Sequence, residues 1–238
     1  MDVWLLAPDA PAAADARMLS YCERLLSSDE RDRRDRFHFQ RHRHQFLVSH
    51  ALVRTTLSRY SHVEPERWEF STNAHGRPEI AVPCQSPPLR FNLSHTDGLI
   101  ACAVALAVDV GVDVEDATRS TAVAAIARRS FSPAEVNALE ALPGARQTDR
   151  FFSLWTLKEA YIKARGLGLA LPLDAFTMLV DRGDAPSIQF SAAIADDPGA
   201  WGFHASAPTA RHRLAVAVRS EGLPACFEVR WLASLGET

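Results

Sequence analysis

FNLSHTDGLIACAVALAVDVGVDVED (residues 91–116) decides how the rest of the chain is read. Leu89–His95 and Leu99–Leu106 are runs of strand-forming residues separated by Asp97-Gly98, a turn pair. The second run is apolar on both faces and is expected to be buried. A tight reversal at residues 107–109 leads into a third strand, in which Val110, Val112 and Val114 alternate with Gly111, Asp113 and Glu115. A two-residue period sends the valines to a core and both carboxylates to the opposite face. Before this stretch the chain shows a strand at Val3–Ala7 and a helix at Pro11–Leu26. Ser28 then reads as an N-cap, and an Arg-rich segment runs into a helix ending near Tyr60. Short strands follow at Arg67–Phe70 and Glu79–Val82. After it the order recurs: helices at Thr121–Arg129, Pro133–Leu142 (capped by Ser132) and Asp149–Arg165, then four or five short strands to Leu232. The expected fold is α+β, two similar subdomains related by a pseudo-two-fold, 1–108 and 109–238, with the active site in the cleft between them.

The composition suits such a fold. The 238 residues are 47% hydrophobic and 23% charged, enough apolar material for a large core. The four cysteines are scattered without zinc-site spacing and read as reduced and structural. The uncharged runs all fall well short of what a membrane-spanning helix needs, and Asp2 stands where an export signal would carry positive charge. A cytoplasmic protein is expected. The net charge of −3 argues against a nucleic-acid-coating protein.

Local charge is more telling. Of 26 basic residues only Lys158 and Lys163 are lysines, and both fall in FFSLWTLKEAYIKARGLG. Glu159 and Lys163 share a helix face, one turn after Trp155. Elsewhere such a pair would be an ordinary surface ion pair; here apolar residues nearly surround the helix, so its charges are expected to point into a cleft. Asp113 and Glu115 form an acid-x-acid pair of the kind that attracts a hard cation such as Mg²⁺. Three such pairs occur, about the number chance supplies, so it is the valine-rich setting that singles this one out. Ser94 and His95 suit an anion, offering a hydroxyl and a ring N–H; no G-x-S-x-G elbow supports a serine hydrolase. Six arginines between Arg31 and Arg43 form either a solvated helix end or a grip on phosphate. In AHGRPEI, Gly76 permits close backbone approach to a ligand and Arg77 supplies charge.

Together, FNLSH (91–95), VGVDVED (110–116) and WTLKEAYIKARGLGL (155–169) resemble the Sfp-type 4'-phosphopantetheinyl transferases, in motif order and separation as well as in content. The likeness runs nearly end to end, with GRP (76–78) and LPLDAF (171–176) as weaker blocks. It implies transfer of the 4'-phosphopantetheine group of coenzyme A to a serine of an acyl, peptidyl or aryl carrier protein, releasing 3',5'-ADP. By the same resemblance, Asp113, Glu115 and Glu159 would hold Mg²⁺ (Mn²⁺ being possible too), and Lys163 would contact the coenzyme A pyrophosphate. Glu159 is also a candidate base for the serine proton. Ser94, His95 and Arg77 would bind the 3'-phosphate, with Arg33 reaching the phosphates from the first half. Arg77 stands where the family often has lysine, which keeps the charge and changes the hydrogen-bond geometry. Asn92, Trp155 and Lys158 would shape the motifs. Carriers are expected to dock at the groove between the halves, against exposed apolar side chains following Ser130-Phe131. A monomer is expected, since the halves already supply the interface. Two other readings remain open: a metal-dependent nuclease, which usually places an acid-x-Lys triplet on a strand, and a noncatalytic nucleotide- or RNA-binding module using the Arg31–Arg43 face.

Overall fold

The computed structural model describes residues 1–84, 86–180, 185–221 and 225–235. Its first half runs β1 (Asp2–Leu6), α1 (Ala16–Leu25), α2 (Ser28–Asp35), α3 (Gln40–Ser58), β2 (Glu69–Thr72), β3 (Pro78–Val82), β4 (Leu89–Thr96) and β5 (Leu99–Leu106). The second runs β6 (Val110–Asp116), α4 (Val123–Ser130), α5 (Pro133–Glu140), α6 (Gly144–Arg165), β7 (Phe176–Leu179), β8 (Ser187–Phe190), β9 (Trp201–Ser206) and β10 (His212–Arg219), and β11 (Glu228–Leu232) follows. The recurrence is visible in the sheets as well as in the order of elements. One sheet has the order β11-β1-β5-β4 and the other β6-β10-β9, while β2-β3 and β7-β8 are matching hairpins. The fold is the expected α+β pair. One strand crosses over: β11 lies parallel to β1, with Trp4 opposite Arg230, so the end of the chain completes the first half's sheet.

The two sheets meet face to face. Val110, Val112 and Val114 of β6 and Leu214 and Val216 of β10 pack against Val3 and Leu5 of β1 and Leu99, Ala101 and Ala103 of β5. Burial of each valine or leucine contributes about 1.5–3 kcal/mol. The opposite faces carry helices, α3 on the first sheet and α6 on the second, each with its own apolar core. The carboxylate face of β6 is therefore covered by α6 rather than bathed in water. Gly111 makes this possible: a Cβ there would lie 2.0 Å from the Ala160 carbonyl oxygen and 2.4 Å from the Ala164 nitrogen.

Local details depart from the sequence reading in several places, and α6 begins at Gly144 rather than Asp149. Helix α1 starts later, at Ala16, because Asp15 caps it by accepting from the Arg17 amide at 2.8 Å. The Arg-rich stretch is two helices. Ser27, not Ser28, caps the first through a capping box with Glu30 (Glu30 N to Ser27 Oγ, 3.2 Å), and the chain leaves helical geometry before Gln40. Phe131, expected at an exposed docking face, is 3% exposed and stacks on Phe151 with ring centroids 5.3 Å apart. It sits at the C-cap of α4, where its ring turns inward against α6. Phe131→Ala is thus expected to lower stability by about 3–5 kcal/mol in urea unfolding, the range for a lost core aromatic. A loss under 1 kcal/mol would show that the ring is not part of the core.

Burial pushes the thiols of Cys22 and Cys102 up to about 12, so neither is a thiolate at neutral pH, and all four cysteines are free. Among the described residues, no helix is long and apolar enough to cross a membrane.

Candidate active site

Strand β4 lies beside β6 across the junction of the two halves, and side chains knit them together. Asn92 Oδ1 accepts from the Val112 amide at 2.9 Å, Ser94 Oγ from Val114 at 3.3 Å and Thr96 Oγ1 from Asp116 at 3.3 Å. Every second residue of β4 thus satisfies every second amide of β6, as the two-residue period of both strands permits. Asn92 shapes the motif, as expected of it.

Ser94 has a second task. Its hydroxyl donates to Asp113 Oδ1 at 2.9 Å, and Lys163 Nζ reaches the same oxygen at 2.6 Å, Ser94 Oγ at 3.0 Å and the Val112 carbonyl at 3.3 Å. One residue from each of the three motifs meets here. Lys163 gets there because α6 lies on β6, and Gly166 in the left-handed region, φ +62°, ends the helix just beyond it. Lys158, the other lysine, does different work. It is wholly buried, paired with Glu135 at 2.8 Å and donating to the carbonyls of Leu173 and Phe176 at 2.8 and 2.6 Å. It ties α6 to α5 and β7. The acid-x-Lys strand triplet of a nuclease has no counterpart, since both lysines lie on α6.

Glu115 and Glu159 face the same region. The carboxyl of Glu159 is raised above its ordinary range by burial and then by the charge of Asp113; Lys163 only partly offsets this. Glu115 is raised for the same leading reasons, against the opposing charges of Arg119 and Lys163. The Glu159 side chain has no hydrogen bond or ion pair among the described residues. Asp113 Oδ2 is buried and accepts none. Crowded, desolvated carboxylates with an orphaned buried oxygen form an all-oxygen donor set that a hard divalent cation would satisfy. Yet among the described residues no three such groups stand close enough to make a ready cage. Two of the three carboxylates are turned toward internal cations: Asp113 toward Lys163, and Glu115 toward Arg119 at 3.2 Å.

His95, at the end of β4, opens onto a cavity of about 410 Å³ shared with Pro8, Arg41, His42, His44 and Gln45. Its imidazole is held below the usual histidine range by partial loss of hydration and by the positive charges of Lys163 and His42. A phosphate placed among these groups would reverse the second effect. The arginine stretch therefore does reach the cavity, but through Arg41 with its neighbour His42. Arg33 is exposed on α2 with its guanidinium 5.7 Å over the Phe46 ring. Arg77 lies at the other end of β4. It donates to the Ala164 carbonyl at 2.7 Å and pairs with Glu79 and Asp109 at 3.1 and 3.3 Å, holding the end of α6. The described contacts join neither Arg33 nor Arg77 to Ser94 or His95. Arg41, His42 and Arg119 were not singled out from sequence. The first two were legible only as part of a charge run, and Arg119 carries no signal beyond standing four residues after Glu115.

Comparison with known proteins places these motifs in a family. A model described as "4'-phosphopantetheinyl transferase superfamily" matches residues 109–217, and one described as "4'-phosphopantetheinyl transferase, N-terminal" matches residues 13–107. The 4'-phosphopantetheinyl transferase HetI of Nostoc sp. is 35% identical over 168 residues, 71% of this chain and 69% of that protein. The 4'-phosphopantetheinyl transferase Sfp of Bacillus subtilis is 32% identical over 191 residues, 79% of this chain and 81% of that one. Among solved structures, a holo-(acyl-carrier-protein) synthase from Bacillus anthracis in complex with CoA (3',5'-ADP) aligns over 47% of this chain and 95% of its own, at 22% identity and a TM-score of 0.39. With both family models matched in succession and relatives at this identity spanning most of its length, the chain belongs to the 4'-phosphopantetheinyl transferase superfamily.

Proposed function

We propose that the protein transfers the 4'-phosphopantetheine group of coenzyme A to a serine of an apo carrier protein, leaving 3',5'-ADP, in a Mg²⁺-dependent reaction. The observation that carries this reading is the meeting of Asp113, Ser94 and Lys163 beside the unpartnered Asp113 Oδ2. Asp113, Glu115 and Glu159 would hold the cation, which when bound would neutralise charge building on the pyrophosphate as the phosphorus is attacked.

The remaining chemistry belongs to the chain. The carrier serine oxygen forms a bond to the phosphorus bearing the pantetheine arm, and the bond from that phosphorus to the bridging oxygen breaks, so the bridge leaves with 3',5'-ADP. The serine proton needs an acceptor. Glu159, whose side chain makes no ion pair among the described residues, is the candidate to accept it, directly or through water. Lys163 Nζ would hold a pyrophosphate oxygen while keeping Asp113 oriented. Arg41 would supply positive charge, and His95 and His42 ring N–H groups, to phosphate at the cavity, whose lining also includes Asp9 and Asp97. Arg33 and Arg77 remain proposals for the 3'-phosphate end on the resemblance alone. The division near residue 108, with β11 joined to the first half, and a monomeric state resting on the internal sheet-on-sheet interface, complete the reading.

Intact mass of several apo carriers incubated with the protein, coenzyme A and Mg²⁺ tests it. A gain of about 340 Da, absent with EDTA, is expected for this group transfer. No gain on any carrier, together with no coenzyme A binding, would refute the reading.

A further inference from the structure

The three site carboxylates are paired differently. Asp113 has Lys163 and Glu115 has Arg119, while Glu159 makes no ion pair among the described residues and feels the charge of Lys163 only at a distance. The Arg119 contact is a fork: Nη1 lies 3.2 Å from Glu115 Oε2, and Nη2 donates to Oε1 at 3.4 Å, one nitrogen to each oxygen. The turn after β6 aims it there. Asp116 accepts from the Thr118 amide at 2.9 Å and from its hydroxyl at 2.6 Å, and the Arg119 amide reaches back to the Asp116 carbonyl at 3.4 Å. The guanidinium also lies 5.6 Å over the ring of the fully buried Phe152, which anchors it on one side. Its other side is open: the Arg119 side chain is 50% exposed while that of Glu115 is 16% exposed. Arg119 can swing into water where Glu115 cannot.

From this geometry we infer that Arg119 is a positioning residue that occupies Glu115 in the unloaded protein, so that a bare divalent cation is taken poorly and the cation and coenzyme A load together. A cation alone must displace a paired guanidinium from Glu115 and meet the ammonium of Lys163 beside Asp113. The pyrophosphate changes both conditions. It gives Lys163 a second anion, brings oxygens of its own to the metal and offers the displaced Arg119 guanidinium a phosphate oxygen in place of Glu115, so the loss of the Arg119 pair is offset only when both ligands are present. The inference rests on the proposed role of Glu115 as a metal ligand.

The test titrates the full chain with Mn²⁺, following the electron paramagnetic resonance of the free ion, without and with saturating coenzyme A. Arg119→Ala is expected to tighten Mn²⁺ binding roughly tenfold without coenzyme A, the scale of one charge-assisted pair, and less than about threefold with it. Arg213→Ala is the control for charge alone. Arg213 lies directly opposite Glu115 on β10 but spends its guanidinium on Asp149 at 2.5 Å, so its removal is expected to change Mn²⁺ affinity less than about twofold. Unchanged binding in Arg119→Ala, or equal tightening in Arg213→Ala, would overturn the inference. Should Asp113→Ala bind Mn²⁺ with coenzyme A as tightly as the unaltered chain, the metal-site reading itself fails, and this inference with it.

Discussion

Asp113→Ala is expected to lower kcat/KM for phosphopantetheine transfer by about a thousandfold or more while the chain stays folded, the loss typical of removing a principal electrostatic element from an active site. Among the described residues Asp113 is the one carboxylate bonded to both Ser94 and Lys163, and the one with a buried oxygen lacking any partner. Removing one member of a buried ion pair is usually destabilising, because the other is stranded. Here Lys163 escapes that fate, being 28% exposed and still bonded to Ser94 and the Val112 carbonyl. Asp113→Asn separates charge from packing, since an amide oxygen still accepts from Ser94. Both variants are expected to fail in the intact-mass assay and to keep the near-ultraviolet circular dichroism of the unaltered chain. Transfer within tenfold of normal in either would remove Asp113 from the catalytic machinery.

Gly111→Ala is expected to harm both fold and site. The added Cβ would meet backbone atoms of α6 at 2.0 and 2.4 Å, and backbone cannot rotate away as a side chain tip can. Either α6 lifts from β6 or the strand bends, and interior overpacking of this kind costs about 3 kcal/mol or more. Lifting α6 also moves Glu159 and Lys163 away from Asp113, so transfer should fall even among molecules that remain folded. A shifted urea midpoint together with lost transfer is the expected result. A midpoint and rate both unchanged would mean that the strand and helix are not in contact at this point.

How much of this could be read from the chain differs from residue to residue, for physical reasons. The alternation in residues 110–116 correctly separates valines from carboxylates, because strand geometry is a local property. What covers the carboxylate face is not local. The glycine between Val110 and Val112 is the one local trace of it, since glycine inside a strand often marks close approach by another backbone. The break between α2 and α3 has no glycine or proline to announce it, and a helix-compatible run of arginines hides it. Phe131 was misplaced because its setting between Ser130 and Ser132 is polar in sequence, whereas its ring turns from the end of α4 onto Phe151 and Trp155. Asp113, Ser94, Glu159 and Lys163 could be named as candidates because the motifs carry them. Arg119 and the cavity around His95 were not, because a turn conformation and a meeting of distant segments create them.

The path of the backbone also decides what a protease could do to this molecule. Because β11 returns to lie against β1, a cut in the reversal at residues 107–109 would not release two independent bodies. The fragment ending there would still hold the last strand of the other in its own sheet, so a nicked molecule should stay together through gel filtration and come apart only in denaturant. The converse also holds: fragments produced separately must find each other to complete the four-stranded sheet, since β6, β9 and β10 all follow the reversal, which makes split-chain complementation there a direct readout of the assembled fold.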